Sequence, residues 1–351
     1  MRNADRATIV TMLLLAVVGC DQLDGRSQNR KGNAAFRDQH FLEAVAHYEH
    51  AIKTVPDPTI HYNLALAYSK VFHPGSDETV LLDTTDSDSE ACKLIPNVKT
   101  IQKQVCVKPG DKHFMDCDAK NVCPSSFTCQ NTSICTLENK QVADLVTLHF
   151  AEWMKAHPDD LETRALMTQA WIDSDQFKKA IDYWEGLDKA KPNDPTIIGS
   201  LAGIYTKAND WRKSIEWYLK LTAITPDPSG KAAAYQFIGN VAWAKLNSHT
   251  LTREDMEELA DRGIGALQAE AAIQPENPKP IGLMGSIFNF RGQAQGVSWA
   301  SAIDRASAED LRNTSRVLTK KAKDAAGQAT PATGSGAPAT GSATTPTKAG
   351  G

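Results

Sequence analysis

The side chains best suited to chemistry are cysteines, and six of the seven lie within one short segment. Thiols at this density form disulfides, hold a metal ion or take part in redox exchange. Zinc sites usually contain ligand pairs two to four residues apart, while redox and haem-attachment motifs contain C-x-x-C; neither spacing occurs here. Three disulfides are therefore favoured and zinc is the weaker alternative. Fifteen pairings remain open among Cys92, Cys106, Cys117, Cys123, Cys129 and Cys135.

An acidic run precedes these cysteines and contains no basic residue from Asp77 to Glu90. Asp86, Asp88 and Glu90 alternate like the early ligands of a calcium loop. Ala91 occupies the position where the sharp turn of an EF-hand requires glycine. A solvated acidic loop is therefore the preferred interpretation, and a calcium site is the weaker one.

The rest of the chain lacks the common catalytic signatures for phosphate binding, serine hydrolysis and zinc proteolysis. His47 and His50 are one helical turn apart, but no third ligand is nearby, so we expect them to be surface residues. The 38 basic and 42 acidic side chains give a net charge of −4, so the chain has no overall positive potential that would attract nucleic acid. We predict no catalytic residue, metal or cofactor, and hence no enzyme.

The amino terminus has the composition of a secretory signal, with Arg2 and Arg6 followed by an apolar run from residue 7 to 18. The next residues, Val17-Val18-Gly19-Cys20, resemble the lipobox of bacterial lipoproteins. That resemblance implies lipidation of Cys20, and several acyl chains hold a protein durably on a membrane. An uncleaved anchor helix, or a plain signal with an incidental cysteine, is the alternative. We expect a lipid-anchored protein of the bacterial cell envelope, facing the periplasm or the cell exterior, on either membrane.

The elements that position these groups show a repeat of 34 residues. Three prolines are spaced by 34, and each follows an aromatic residue by eight positions: Phe150 and Pro158, Trp184 and Pro192, Tyr218 and Pro226. Small residues such as Ala180 and Ser214 lie four positions before the aromatic residues. Such a pattern predicts pairs of closely packed antiparallel helices, each pair ended by proline.

The pattern resembles the tetratricopeptide repeat (TPR) family, and the copy from Gly32 to Pro56 is close to the family's pattern. The resemblance implies an all-α solenoid of about five to six helix pairs; an irregular helical bundle is the alternative. It also implies a groove lined by the first helix of each pair, which takes a partner's peptide or helix. Its candidate positions are Asn33, Arg37, Tyr62, Leu66, Gln169, Asp173, Gly203 and Lys207.

We divide the chain into six segments. They are a signal peptide (1–19), a lipidated tether (20–28), the first repeat with the first helix of the second (29–70), a cysteine-rich insert (71–140), the remaining repeats with a capping helix (141–320) and a tail (321–351). The insert is expected to be a small loop-rich module. The tail is rich in Ala, Thr, Gly and Pro, so we expect it to be disordered.

These expectations favour a membrane-anchored scaffold that binds protein partners in an envelope complex for assembly, secretion, pilus formation or motility. The alternative is a surface receptor whose cysteine-rich insert recognises a ligand or glycan, with the repeats as its stalk. Neither hypothesis involves nucleic acid or a small-molecule substrate.

Overall fold

Helices joined by short turns make up most of the chain. The computed structural model describes residues 21–75, 79–84, 90–108, 114–117, 120 and 122–328. In chain order the elements are α1 (residues 21–37), α2 (Phe41–Ala51), α3 (Pro58–Val71), β1 (Thr79–Thr84), α4 (Glu90–Leu94), β2 (Lys99–Val107), β3 (Phe114–Asp116), β4 (Thr128–Glu138), α5 (Asn139–Ala156), α6 (Leu161–Asp173), α7 (Phe177–Ala190), α8 (Pro195–Lys207), α9 (Trp211–Ile224), α10 (Pro228–Asn247), α11 (Arg253–Ile273), α12 (Pro278–Ala294) and α13 (Trp299–Gln328).

The fold class predicted from the sequence is confirmed. Within the described ranges, the long helices follow one another as six tetratricopeptide-like pairs, interrupted by a small strand region that contains the cysteines. The signal peptide, Cys20, residues 77–78 and 85–89 of the acidic run and the tail from 329 onward lie outside the described residues. Residues 321–328, which were assigned to the disordered tail, instead continue helix α13. None of the helices in the described ranges is long and apolar enough to cross a membrane.

Local sequence determines where these helices begin and end. Asp160 and Asp210 each accept a hydrogen bond from a backbone N–H in the first turn, which satisfies a donor that has no partner inside the helix. Asp175 and Asn209 have positive φ angles of 57° and 63° just after α6 and α8. These two left-handed residues are 34 positions apart, so the turn that ends the first helix of a pair recurs with the repeat.

The chain divides into two compact units, Met1–Pro192 with Gly203–Asn209 and Asn193–Ala202 with Asp210–Gly351. In the first, Gly32 packs against the ring of Tyr48, and a Cβ atom at Gly32 would lie 2.7 Å from Tyr48 Cε1. In the second, a Cβ atom at Gly263 would lie 2.6 Å from the Cβ atom of Ala242. Both units therefore use the smallest residue where two helices pack most closely.

The insert differs from the expected loop-rich module, because it contains a four-stranded sheet. Its strands are antiparallel and follow the order β1-β4-β2-β3. The six cysteines form three disulfides, as predicted: Cys92–Cys135, Cys106–Cys123 and Cys117–Cys129. Strand pairing supplies backbone hydrogen bonds that a loop of this length would lack, and the cross-links compensate for a small core.

Candidate functional site

The predicted groove residues of the first unit lie on the first helices of its pairs. Asn33 and Arg37 are exposed on α1, Tyr62 and Leu66 are half-buried on α3, and on α6 Gln169 is exposed and Asp173 is half-buried. Gly203 and Lys207 are on α8, where a Cβ atom at Gly203 would meet no atom within 4 Å and Lys207 is exposed.

Asn33 is held in place by its neighbours. Its Oδ1 accepts a hydrogen bond of 2.7 Å from the hydroxyl of Tyr48 and one of 3.3 Å from Nδ2 of Asn63 on α3. Burial raises the pKa of Tyr48 to about 12, so this hydroxyl stays protonated and donates at physiological pH. With its oxygen oriented inward, the exposed amide of Asn33 presents its N–H₂ group outward.

An aromatic cluster surrounds Tyr62. Its ring centroid lies 5.9 Å from that of Phe150 and 5.0 Å from that of Trp153, both on α5. Trp153 also stacks on His157 at 3.5 Å and donates from Nε1 to Asp160 Oδ2 at 2.8 Å. The ring of Tyr62 is therefore held by packing between the two helices of one pair, and only part of it faces solvent.

Gln169 and Asp173 form a polar pair one turn apart on α6, with Gln169 Nε2 donating to Asp173 Oδ1 at 2.6 Å. The backbone carbonyl of Asp173 also accepts a hydrogen bond of 3.1 Å from the N–H of Gly75, in the segment that leads into the insert. Asp173 therefore connects this face of α6 with the start of the insert.

The second unit has a comparable row on α10 that was not among the predicted groove residues. Gln236, Asn240 and Trp243 follow the spacing i, i+4 and i+7, which places them on one helix face. Gln236 Nε2 donates to Asn240 Oδ1 at 3.3 Å, and 41% of Trp243 is exposed. The buried face of α10 begins directly beside this row, where a Cβ atom at Gly239 would lie 2.5 Å from Leu267 Cδ2. The small residue at Gly239 was the signal from which this register could have been found.

The two histidines expected at the surface make contacts within the first helix pair. His47 Nδ1 lies 2.8 Å from Gln28 Oε1, and His50 Nε2 lies 3.0 Å from Asp24 Oδ2. His47 Nε2 also lies 3.7 Å from a carboxylate oxygen of Glu43. His47 and His50 therefore each contact a different residue of α1, and His47 also lies close to Glu43, one turn earlier on its own helix.

No family model and no curated protein matches the chain. Solved structures similar to it include MamA protein, at 17% identity and a TM-score of 0.33, with 52% of this chain and 87% of that chain covered. MamA from residue 41 onward of Desulfovibrio magneticus RS-1 has 18% identity, a TM-score of 0.32 and coverage of 49% and 87%. BtubC from P. vanneervenii has 11% identity, a TM-score of 0.31 and coverage of 93% and 97%. Similarity at this level carries no conclusion about function.

Proposed function

We propose that this chain is a non-enzymatic scaffold that binds an extended segment of a protein partner through the exposed faces of its first helices. The observation that carries the proposal is the row of Gln236, Asn240 and Trp243 on α10. The row borders the buried face of α10 but stays accessible, since Asn240 and Trp243 are exposed and Gln236 is half-buried.

The chemistry of the row suits a peptide backbone. A side-chain amide has donors and acceptors, and these match the N–H and C=O groups that an extended peptide leaves unpaired. An exposed tryptophan adds a large apolar surface with few rotatable bonds, which is typical of residues that dominate binding energy. Asn33 and Asn63 present the same amide chemistry on the first helices of the first unit.

We further propose that lipid on Cys20 anchors the protein in a bacterial cell envelope. The support is the sequence Val17-Val18-Gly19-Cys20 and the apolar run before it. Replacing Cys20 by Ser removes the thiol that would receive diacylglycerol, so membrane fractionation should find the variant soluble or unprocessed. If its membrane attachment is unchanged, the lipid anchor is rejected.

Site-specific photo-crosslinking in intact cells tests the partner-binding face. A photoreactive residue at position 240 should give a discrete product, and Trp243→Ala in the same chain should reduce that product at least fivefold. The matched control is position 268 on α11, where Gln268 is exposed on a different helix.

Two outcomes would reject the binding face on α10. One is a product of equal yield from positions 240 and 268, because contact would then not depend on this face. The other is a product that Trp243→Ala leaves unchanged while circular dichroism shows both variants to be equally helical.

A second candidate function is recognition of a surface ligand or glycan by the insert. The favouring observation is that residues 99–102 of β2 are exposed on successive positions, so both faces of this part of the sheet contact solvent. Deleting residues 74–138 distinguishes the two functions. The crosslink from position 240 should survive the deletion if the helices bind the partner, and it should be lost if the insert does.

A further inference from the structure

Two of the three disulfides lie side by side at one end of the sheet in the insert, a region called here the tip of the insert. Cys106 is on β2 and Cys129 is on β4, while Cys117 directly follows β3 and Cys123 lies in the segment before β4. The Sγ atoms of Cys106, Cys117 and Cys123 all lie within 4.8 Å of one another, although Cys117 belongs to a different disulfide from the other two. Sulfur atoms of two separate disulfides are therefore close neighbours.

A second pairing of the same four cysteines fits the sheet. Cys106 and Cys129 are directly opposite each other in the antiparallel register of β2 and β4. Residues in such positions have Cα atoms about 4.5–5.5 Å apart, which lies within the range of about 4.4–6.8 Å that a disulfide spans. The other two sulfur atoms, Cys117 Sγ and Cys123 Sγ, are 4.0 Å apart. Bonds Cys106–Cys129 and Cys117–Cys123 can therefore replace the observed bonds without a change in strand register.

The burial of the four cysteines determines where an exchange can start. Cys106 is completely buried, with an exposed fraction of 0%, whereas Cys117, Cys123 and Cys129 are half-buried. The nucleophile in disulfide exchange is a thiolate, and burial in apolar surroundings disfavours the thiolate. An external thiol therefore has access to three of the four sulfur atoms, and the favoured route is one that never releases Cys106.

We propose that a low-molecular-weight thiol converts these two disulfides from the observed pairing into the second one, which switches the tip of the insert between two cross-linked forms. The external thiolate attacks Cys117 Sγ, forms a mixed disulfide with it and releases Cys129 as a thiolate. Cys129 then attacks the Sγ atom of Cys106 opposite it and releases Cys123. Cys123 finally attacks Cys117 Sγ, which completes the second pairing and releases the external thiolate.

These steps need no oxidant or reductant. Two S–S bonds of the protein break, two form, and the external thiolate is regenerated, so the thiol acts as a catalyst. The last attack starts from a separation of 4.0 Å, which is close to the distance of about 3–3.5 Å between atoms positioned to react. Sulfur atoms in disulfides are not thiolates and do not bind metal ions, so the close approach of these atoms serves exchange rather than zinc binding.

The two pairings constrain different parts of the insert. In the observed form Cys117 is bonded to Cys129 on β4 and Cys123 is bonded to Cys106 on β2. The chain between β3 and β4 is therefore attached to the two central strands of the sheet at both residues. In the second form Cys117 and Cys123 close a ring across six positions, and β2 is bonded directly to β4. The exchange thus releases this part of the chain from the central strands.

The first test follows the pairing in the oxidised full chain. The protein is incubated with glutathione at about one-tenth of an equivalent, a catalytic amount, and N-ethylmaleimide then blocks every thiol. Trypsin and chymotrypsin separate the four cysteines, because they cut after residues that lie between them, namely Lys112, Lys120 and Phe127. Mass spectrometry of the unreduced peptides identifies the bonds.

We expect Cys106–Cys129 and Cys117–Cys123 to appear in equal amounts, each in excess of the glutathione added, because one thiol acts repeatedly. The bond Cys92–Cys135 should remain intact. Cys135 is opposite Thr100 at the other end of β2, away from the tip of the insert.

Two single variants isolate the two steps within the protein. Cys117→Ser leaves Cys129 as the free thiol, which should attack Cys106 and release Cys123. Cys106→Ser leaves Cys123 as the free thiol, which should attack Cys117 and release Cys129. The variants are held near pH 8.5, about the ordinary pKa of a cysteine thiol, and then labelled with N-ethylmaleimide. In both variants the label should divide between Cys123 and Cys129, with at least about one-tenth on each.

Cys92→Ser is the matched control, because it frees a thiol of the same insert outside the tip, and the label should stay on Cys135. Circular dichroism verifies that the variants retain their helices. The proposal is overturned if glutathione only reduces the disulfides, or if the label stays on the thiol that each substitution first releases. Scrambling that includes Cys92 and Cys135 also overturns it, because the sheet then does not select the second pairing.

Discussion

Asn139 joins the two ends of the cysteine-rich insert through the backbone of His73. Its Oδ1 accepts a 2.9 Å hydrogen bond from the N–H of His73, and its Nδ2 donates to the carbonyl of His73 at 2.6 Å. The two residues are 66 positions apart, and only 3% of Asn139 is exposed. The insert therefore begins and ends at neighbouring points, because the residue where the chain leaves α3 is hydrogen-bonded to the residue where α5 begins.

Replacing Asn139 by Ala should lower the free energy of unfolding by about 1–2 kcal/mol, because it removes the two hydrogen bonds that this buried amide makes to the backbone of His73. Urea denaturation of the oxidised protein measures this loss. Asn131→Ala is the control, since Asn131 is exposed on β4, and it should change stability by less than about 0.5 kcal/mol. Equal effects of the two substitutions would contradict the structural role of Asn139.

Asp160 should stabilise the start of α6. It accepts hydrogen bonds from the backbone N–H and hydroxyl of Thr163 and from Trp153 Nε1. Asp160→Ala should cost about 1–2 kcal/mol, as is usual for an N-cap, while Asp159→Ala should cost little because Asp159 is exposed. Chemical denaturation of the two variants makes the comparison.

The same residue predicts a dependence on pH. Hydrogen bonds, first from the backbone of Thr163 and then from Trp153, lower the pKa of Asp160 from 3.8 to about 2. The folded state therefore binds the proton less readily than the unfolded state, so the contribution of Asp160 is complete above pH 4 and is lost as the pH falls to 2. The difference in stability between the wild type and Asp160→Ala should shrink over that range.

Glu270 should have the opposite effect. It is 2% exposed, its Oε2 has no hydrogen-bond partner among the described residues, and burial raises its pKa to about 7. Stability should fall as the pH rises from about 4.5 to 7, because the unfolded state releases the proton first. Glu270→Gln should therefore be more stable than the wild type by about 1–2 kcal/mol at pH 8 and similar to it at pH 4. Thermal denaturation at both values tests this, with exposed Glu276→Gln as a control that should show no gain.

Gly263 and Gly265 provide a matched pair on α11. A Cβ atom at Gly263 would lie 2.6 Å from Ala242 Cβ and 3.1 Å from Ile287 Cδ1, whereas one at Gly265 would meet nothing within 4 Å. Gly263→Ala should destabilise the protein by about 1–3 kcal/mol through overpacking. Gly265→Ala should stabilise it by up to about 1 kcal/mol, because alanine favours the helix. Substitutions with effects of the same sign would contradict the close packing of α10, α11 and α12.

The helix pairs could be predicted from the sequence because their packing repeats in a regular way. Small residues, aromatic residues and proline recur at fixed distances along the chain, and Pro158, Pro192 and Pro226 mark the period without any knowledge of tertiary structure. The row on α10 could have been predicted in the same way, since Gly239 marks its register, but the repeat there is longer and less regular.

The disulfide pairing could not be predicted, because the sheet determines it. Cys106 and Cys129 are direct neighbours on β2 and β4, yet Cys106 bonds to Cys123 and Cys129 bonds to Cys117. The contact between His61 and His149 could not be predicted either. It forms because α3 packs against α5, which brings together two residues that are 88 positions apart in sequence. Local periodicity contains no information on contacts of this kind.

The closed base of the insert has a consequence for biogenesis. During synthesis α3 emerges well before α5, so the two helices meet only after the chain between them has closed into a loop. Closing a loop costs about 0.6 kcal/mol more for each doubling of its length. The Cys92–Cys135 bond spans 43 positions, so it shortens the chain that connects α3 to α5 to less than half of its length. The equilibrium constant for bringing the two helices together then becomes roughly threefold to fourfold more favourable. Oxidation of Cys92 and Cys135 should thus promote assembly of the second repeat, and a reducing compartment should delay it.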